Sequence, residues 1–366
     1  MKKTTVRPWL IVLVFALLYV VWILLRYGGD PLAFALPGTR YSAGVEHGTS
    51  GYDGQFALYI ARDPLAGWRS CDVPAYRYQR ILYPLVAYML SFGQPALAPW
   101  ALIVVNIAAL CAGTYLTEEL LGALGANRWY ALGYGLYGGL VAGLRLDLNE
   151  PLAYGLVQAA LLAWVRDRKG WSAGLFALAA LAKETSLVAL AGLLIALLLE
   201  GRWREILWLG IGAGAPFGIW QGVLWAWFGR PGIGSGGEMA TAFEWLPFMG
   251  LWRVALASPR VFGVLLMVEG PLFVLPAVWA VVVSARSLWR GNRDIWSTNL
   301  LVQAVVLMLL PFSTWREPLA ITRLATGLAS AVLLYGARRH SRRILSYSMF
   351  WLATLALLIN ETVLPV

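Results

Sequence analysis

Chemistry in this sequence must come from few side chains, because 60% of its 366 residues are hydrophobic and only 13% are charged. Asp53 stands out among them. It lies in Gly51-Tyr52-Asp53-Gly54-Gln55, between glycines that permit unusual dihedrals and close backbone approach. A carboxylate can take a proton from a reacting group, although a plain turn also explains these five residues. Arg77, Arg80, Lys183 and Arg323 are of the types that hold phosphate, arginine through paired hydrogen bonds. Asp147, Glu150 and Glu184 add further carboxylates. Cys71 and Cys111 show no motif spacing, and two histidines, His47 and His340, cannot make a His-rich metal site. Any metal would have to rest on carboxylates. No P-loop, dinucleotide glycine pattern, HExxH or Ser-His-Asp set is present.

Each group also has a plainer reading. Asp63-Pro64 caps or ends the helix that starts near Tyr52. Asp72 is solvated loop, and Arg145 with Asp147 is a local ion pair. Lys183-Glu184-Thr185 is a hairpin tip at a membrane interface. Glu269, inside an apolar run, is satisfied by a neighbouring helix. Ionisable groups at membrane depth are nonetheless costly, and so are candidates for function.

The elements that must position these groups are apolar helices. Mean hydropathy is +0.67, whereas soluble domains are closer to ~45–50% apolar and ~25% charged. An ordinary cytosolic enzyme, a disordered chain and a secreted disulfide scaffold are excluded. A crossing takes ~20 apolar residues. About eleven such segments are read, the first from Trp9 to Leu25 and the others starting near Ala98, Trp129, Pro151, Trp171, Ser186, Ile206, Val261, Trp296, Ala320 and Ile344. The expectation is an all-α polytopic membrane protein, one transmembrane domain over 1–366. It has a long first outer loop, 26–96, and a second, 229–260. Trp100, Trp171, Trp203, Trp289 and Trp296 lie near predicted span ends, as interfacial anchors do. Glycines recur at 133, 135, 139 and 143, and again at 210, 212, 214 and 218, as in close-packed membrane helices.

Charge sets the orientation. The stretch from Tyr76 to Phe92 is apolar enough to resemble a span, but Pro84 interrupts it. If it crossed, Arg166, Arg168 and Lys169 would lie outside, against the positive-inside rule. It therefore reads as a juxtamembrane helix. The N-terminus, with Lys2 and Lys3, is then cytoplasmic and the C-terminus outside. The whole net charge of +10 falls on the cytoplasmic face, so the basic balance reflects topology and not a nucleic-acid partner. The candidate residues gather on the outer side. Tyr52, Phe56, Tyr59 and Ile60 recur at helical spacing, giving an apolar face for a helix lying in the interface.

Four stretches together resemble the GT-C class of multispanning glycosyltransferases. They are Tyr52-Asp53-Gly54-Gln55 with its aromatic helix, Tyr76 to Leu85, Leu146 to Leu152, and Leu181-Ala182-Lys183-Glu184-Thr185. The first is similar to the W-D-G motif of the GPI mannosyltransferase branch, with Tyr52 in place of Trp. Trp315-Arg316-Glu317-Pro318 before Arg323 is similar to a late outer loop of bacterial members. The likeness covers the first ~200 residues well and the rest weakly.

The resemblance implies a polyprenyl-phosphate sugar as donor and an acidic residue of the first outer loop as catalyst, here Asp53. Arg323, Lys183 and Arg80, with Arg77, would then stabilise the leaving phosphate. Asp147 and Glu150 would orient the acceptor or, with Asp53, bind a divalent cation, Mg or Mn, through oxygen ligands. Glu184 adjoins Lys183 in the same substrate-binding set. A single base implies inversion at the anomeric carbon. The expected setting is the plasma (inner) membrane, the acceptor is open, and no nucleic acid is involved. Two rival readings stand: a noncatalytic GT-C-like subunit and a transporter of lipid-linked sugars. The loop after Gly229 is a candidate gate.

Overall fold

The computed structural model describes residues 6–359. Lys2, Lys3 and the last seven residues, on which part of the orientation argument rests, lie outside the described residues. Those described form helices and connecting turns with no strand. Helices of seven residues or more are numbered along the chain. They are α1 (Pro8–Arg26), α2 (Gly54–Arg62), α3 (Leu82–Leu90), α4 (Ala98–Ala123), α5 (Gly138–Arg145), α6 (Glu150–Val165), α7 (Lys169–Ala182) and α8 (Leu187–Leu199). There follow α9 (Trp203–Phe228), α10 (Met249–Ala257), α11 (Pro259–Glu269), α12 (Leu275–Trp289), α13 (Ile295–Met308), α14 (Pro318–Leu324), α15 (Thr326–Arg338) and α16 (Arg342–Phe350). A π-helical turn, Gly270–Val274, joins α11 to α12.

Local sequence explains many of the ends. Proline falls in the first turn of α1, α4, α6, α11 and α14, where its missing N–H would have no helical partner. Gly229 ends α9 in the left-handed conformation that glycine adopts without strain. The Asp294 carboxylate caps α13 by accepting from the N–H groups of Trp296 and Ser297.

Among the described residues, four stretches are long and apolar enough to cross a membrane: α1, α4, α9 and Pro259–Trp289. A fifth is reached if α14 and α15, bent by 45° at their break, count as one. This is fewer than the eleven expected, and length is the reason. Helices α6, α7, α8 and α13 begin where apolar segments were read, but have only 16, 14, 13 and 14 residues. At 1.5 Å per residue they reach about 20–24 Å, short of a hydrocarbon core of ~30 Å. The segments near Trp129 and Ile344 are broken by 3₁₀ turns, Arg128–Ala131 and Trp351–Leu358. The first loop folds into short helices, and α3, at nine residues, is too short to cross.

Small residues set several of the contacts. A Cβ on Gly135 would meet Thr114 and Val12, and one on Gly139 would meet the Thr322 carbonyl. One on Gly192 would meet the Asn299 backbone, so α8 and α13 touch closely there. The second glycine row behaves differently from expectation. Gly214 and Gly218 have open space around them, while a Cβ on Gly212 would lie 3.3 Å from Ala173. Helix α9 buries Leu209, Ala213, Phe217 and Leu224 and packs its far end through Trp220, Trp227 and Phe228 on Tyr78. Trp171 and Trp289 are exposed, whereas Trp296 is core.

One end of the bundle is laced by ion pairs. Arg7 at the start of α1 binds Glu118 and Glu119 at the end of α4, and Arg166 binds Glu119. Lys169 and Arg202 meet Glu205, and Arg339 meets Asp294. The opposite helix ends hold the groups singled out from the sequence.

Candidate functional site

Asp53 precedes α2, and α2 fits where it does because Gly54 has no side chain. A Cβ there would collide with the Leu146 carbonyl and press on Asp147. This seats Asp53 against the turn between α5 and α6. The α2 helix is not an interfacial helix with an exposed apolar stripe, as its periodicity predicted. Every residue from Gly54 to Ala61 is buried, packed by α3, α4 and the loop turns around it.

Arginine from two distant segments meets Asp53. Arg77 Nη1 donates to Asp53 Oδ1 at 2.9 Å. Arg323 Nη2 lies 3.5 Å from Asp53 Oδ2. Arg77 also grips both Asp72 oxygens at 2.7 Å and lies over the Phe56 ring, 3.9 Å from its centroid. Arg323 Nε donates to Glu150 Oε1 at 2.8 Å, and Lys183 Nζ reaches the same oxygen at 2.5 Å. Arg323 Nη1 donates to the Tyr52 hydroxyl, which donates to Glu317, both at 2.7 Å. Alongside, Arg80 holds Glu184 through two bonds of 2.8 and 2.5 Å and donates to the Tyr76 hydroxyl.

The carboxylates differ in access. The Asp53 side chain is 38% exposed, against 4% for Asp72 and 1% for Glu150. Asp53 is the one that opens into a cleft. Arg77, Arg80, Arg323 and Asn149 line the cleft's polar side, and Phe56, Ile60, Pro84 and Leu148 its apolar side. Burial opposes ionisation of Asp53, but Arg77, then Arg323 and Arg80, outweigh it and hold the carboxyl well below the usual carboxylate range. Asp72 is likewise lowered: burial works against it, and its hydrogen bonds and charge pairing with Arg77 prevail.

Seven of the eight residues singled out for the site, Asp53, Arg77, Arg80, Glu150, Lys183, Glu184 and Arg323, thus form two adjoining ion-pair groups. Asp147 stands apart. It is fully buried, its φ is +47°, and among the described residues neither carboxyl oxygen accepts a hydrogen bond. No hydrogen bond joins it to Arg145, which donates instead to the Ala33 carbonyl. Asp72 is not solvated loop but Arg77's partner. Asp63 does end α2, as its C-cap residue, and its carboxylate accepts from the N–H groups of Leu65 and Ala66 in the turn that follows. Glu269 is buried, and among the described residues neither of its oxygens has a hydrogen-bond partner.

Sequence reasoning missed Glu238. Its carboxylate accepts from Arg40 and the Tyr41 hydroxyl, and its backbone N–H donates to Asp72 at 3.2 Å. Gly237 lies so close that a Cβ there would be 3.1 Å from Arg77 Nη2. The loop after α9 is thereby drawn over the Asp53 site. Nothing in the sequence around Glu238 signals this partner, some 200 residues away.

The residues do not fit a divalent cation. Among the described residues no three His, Cys, Asp or Glu side chains gather to hold one. Glu150 Oε1 is shared by Lys183 and Arg323, and Asp53 by Arg77 and Arg323, while Asp147, whose oxygens are unpartnered, does not gather with them into a ligand set. Cys71 and Cys111 are free.

No family model, curated protein or solved structure matches this chain.

Proposed function

We propose that this protein is a polytopic inner-membrane glycosyltransferase. It moves a sugar from a polyprenyl-phosphate donor to an acceptor on the outer face. About eleven apolar segments cross or enter the bilayer, some as short or broken helices, with the N-terminus cytoplasmic. The observation that carries the reading is the meeting of one accessible carboxylate, Asp53, with three arginines in a cleft that has an apolar wall. The arginines suit a phosphate. The cleft itself encloses only about 20 Å³, so a sugar and its lipid chain enter as it opens.

The chemistry follows from the charge balance. With Arg77 and Arg323 on it, Asp53 is a poor base. A donor phosphate competes for those guanidinium groups and leaves Asp53 more basic. Asp53 then takes the acceptor hydroxyl proton as that oxygen bonds to the anomeric carbon. The bond from this carbon to the phosphate oxygen breaks, and the lipid phosphate leaves with the electron pair onto the arginines. One carboxylate acting as base gives inversion.

The near-saturation of the ion pairs favours one rival, a noncatalytic subunit in which the network only holds helices together. Mass spectrometry of copurifying lipids separates the two. Asp53→Asn should retain a polyprenyl-phosphate sugar that wild type consumes. If neither protein carries such a lipid, transfer is rejected in favour of the subunit.

A further inference from the structure

A second cavity, of about 580 Å³, opens between α12, α15 and α16 and shares no lining residue with the cleft at Asp53. Its wall is apolar, from Leu275 and Trp279 on α12, Val332 on α15, and Ile344, Tyr347 and Phe350 on α16. Tyr347 spends its hydroxyl on the Pro271 carbonyl at 2.6 Å, so its ring completes that wall. The volume lies within the ~300–1,000 Å³ typical of ligand sites. Only one lining residue is charged, Arg343, in the first turn of α16. Arg343 is exposed and makes no hydrogen bond or ion pair among the described residues, whereas nearby Arg339 is committed to Asp294 and Ser287.

We propose that this groove holds a chain of an anionic phospholipid, with the lipid phosphate on Arg343. Lipid tails are as apolar as the groove, so the wall accommodates a chain without selecting one. Selection falls to the unpaired guanidinium at the mouth, which complements an anionic headgroup. The mouth lies at the helix ends that carry the Arg339–Asp294 pair, opposite the Asp53 cleft. A donor bound here could not present its sugar to Asp53, so the occupant is a bilayer lipid. The inference does not depend on transferase activity.

The test uses the full-length protein in equal mixtures of phosphatidylglycerol and phosphatidylcholine, with retained lipid measured by mass spectrometry after gel filtration. Wild type should enrich phosphatidylglycerol about fivefold, the effect of one basic residue near an anionic headgroup. Arg343→Ala should abolish the enrichment. Arg290→Ala, at an exposed arginine that does not line the groove, should keep it. Val332→Trp should fill the groove and lower the lipid retained. Unchanged enrichment in Arg343→Ala, or equal loss in Arg290→Ala, overturns the proposal. So does retention of an isoprenoid phosphate in place of phosphatidylglycerol.

Discussion

At the scale of single residues, the site is governed by how few carboxylates serve how many cations. Glu150 Oε1 accepts from both Lys183 and Arg323 in a buried setting. Removing that charge leaves Lys183 buried without a neutraliser and Arg323 with Asp53 alone, a loss of ~3–5 kcal/mol for a broken buried pair. Glu150→Gln should therefore lower stability by about that amount in detergent unfolding. Adding Lys183→Met to it should recover part of the loss, and no recovery would show that Lys183 is not strained by the change. Asp53 and Asp72 give a pH dependence of definite sign. Both are held below the ordinary carboxylate value of about 4. A depressed folded-state pKa means that their stabilising contribution is present above about pH 4 and is lost as pH falls towards the folded-state values. The unfolding midpoint should be level from pH 8 to about 5 and drop below about 4. Asp53→Asn with Asp72→Asn should start lower at neutral pH and fall less steeply in acid, and a parallel curve would place the acid sensitivity elsewhere.

At the scale of elements, the site depends on close backbone approach. The α2 helix reaches the α5–α6 turn only through Gly54. Gly54→Ala should cost ~1–3 kcal/mol through overpacking and, by displacing Asp53, remove the proposed transfer altogether. A variant of wild-type activity would mean that Asp53 need not hold its place. The loop after α9 is fastened by Glu238 to Arg40, Tyr41 and Asp72 across solvent-exposed bonds. Exposed pairs contribute little to stability, about 0–1 kcal/mol. Glu238→Gln should thus change turnover several-fold while shifting the unfolding midpoint little, as expected of a gate. Unchanged turnover would make the loop a passive cover. The periodicity of Tyr52, Phe56, Tyr59 and Ile60 correctly marked a helix but not what covers it. An apolar face packs as well on protein as on lipid.

At the scale of the whole molecule, the proposed topology puts the Asp53 cleft and the Arg7–Glu118 lattice on opposite faces. Single cysteines at positions 63 and 168, in a Cys71→Ser, Cys111→Ala background, should be labelled by an impermeant maleimide from opposite sides. Position 63 should react in intact cells and position 168 only after lysis, and labelling from one side would reject the topology. The sequence by itself determined that the chain is helical and apolar, and where several of the helices begin, because hydropathy and first-turn prolines act locally. It also singled out seven ionisable residues that the fold brings together, since charge is scarce in such a chain. Only the tertiary structure decided their partners. Asp72 turned from loop residue to clamp, Glu238 joined from a distant loop, and Asp147 and Glu269 were left without hydrogen bonds. It also decided how far each helix runs before it breaks, leaving four or five stretches long enough to cross where eleven were read. Pairing and helix length depend on which segments meet, and contacts across more than 200 residues leave no local pattern to read.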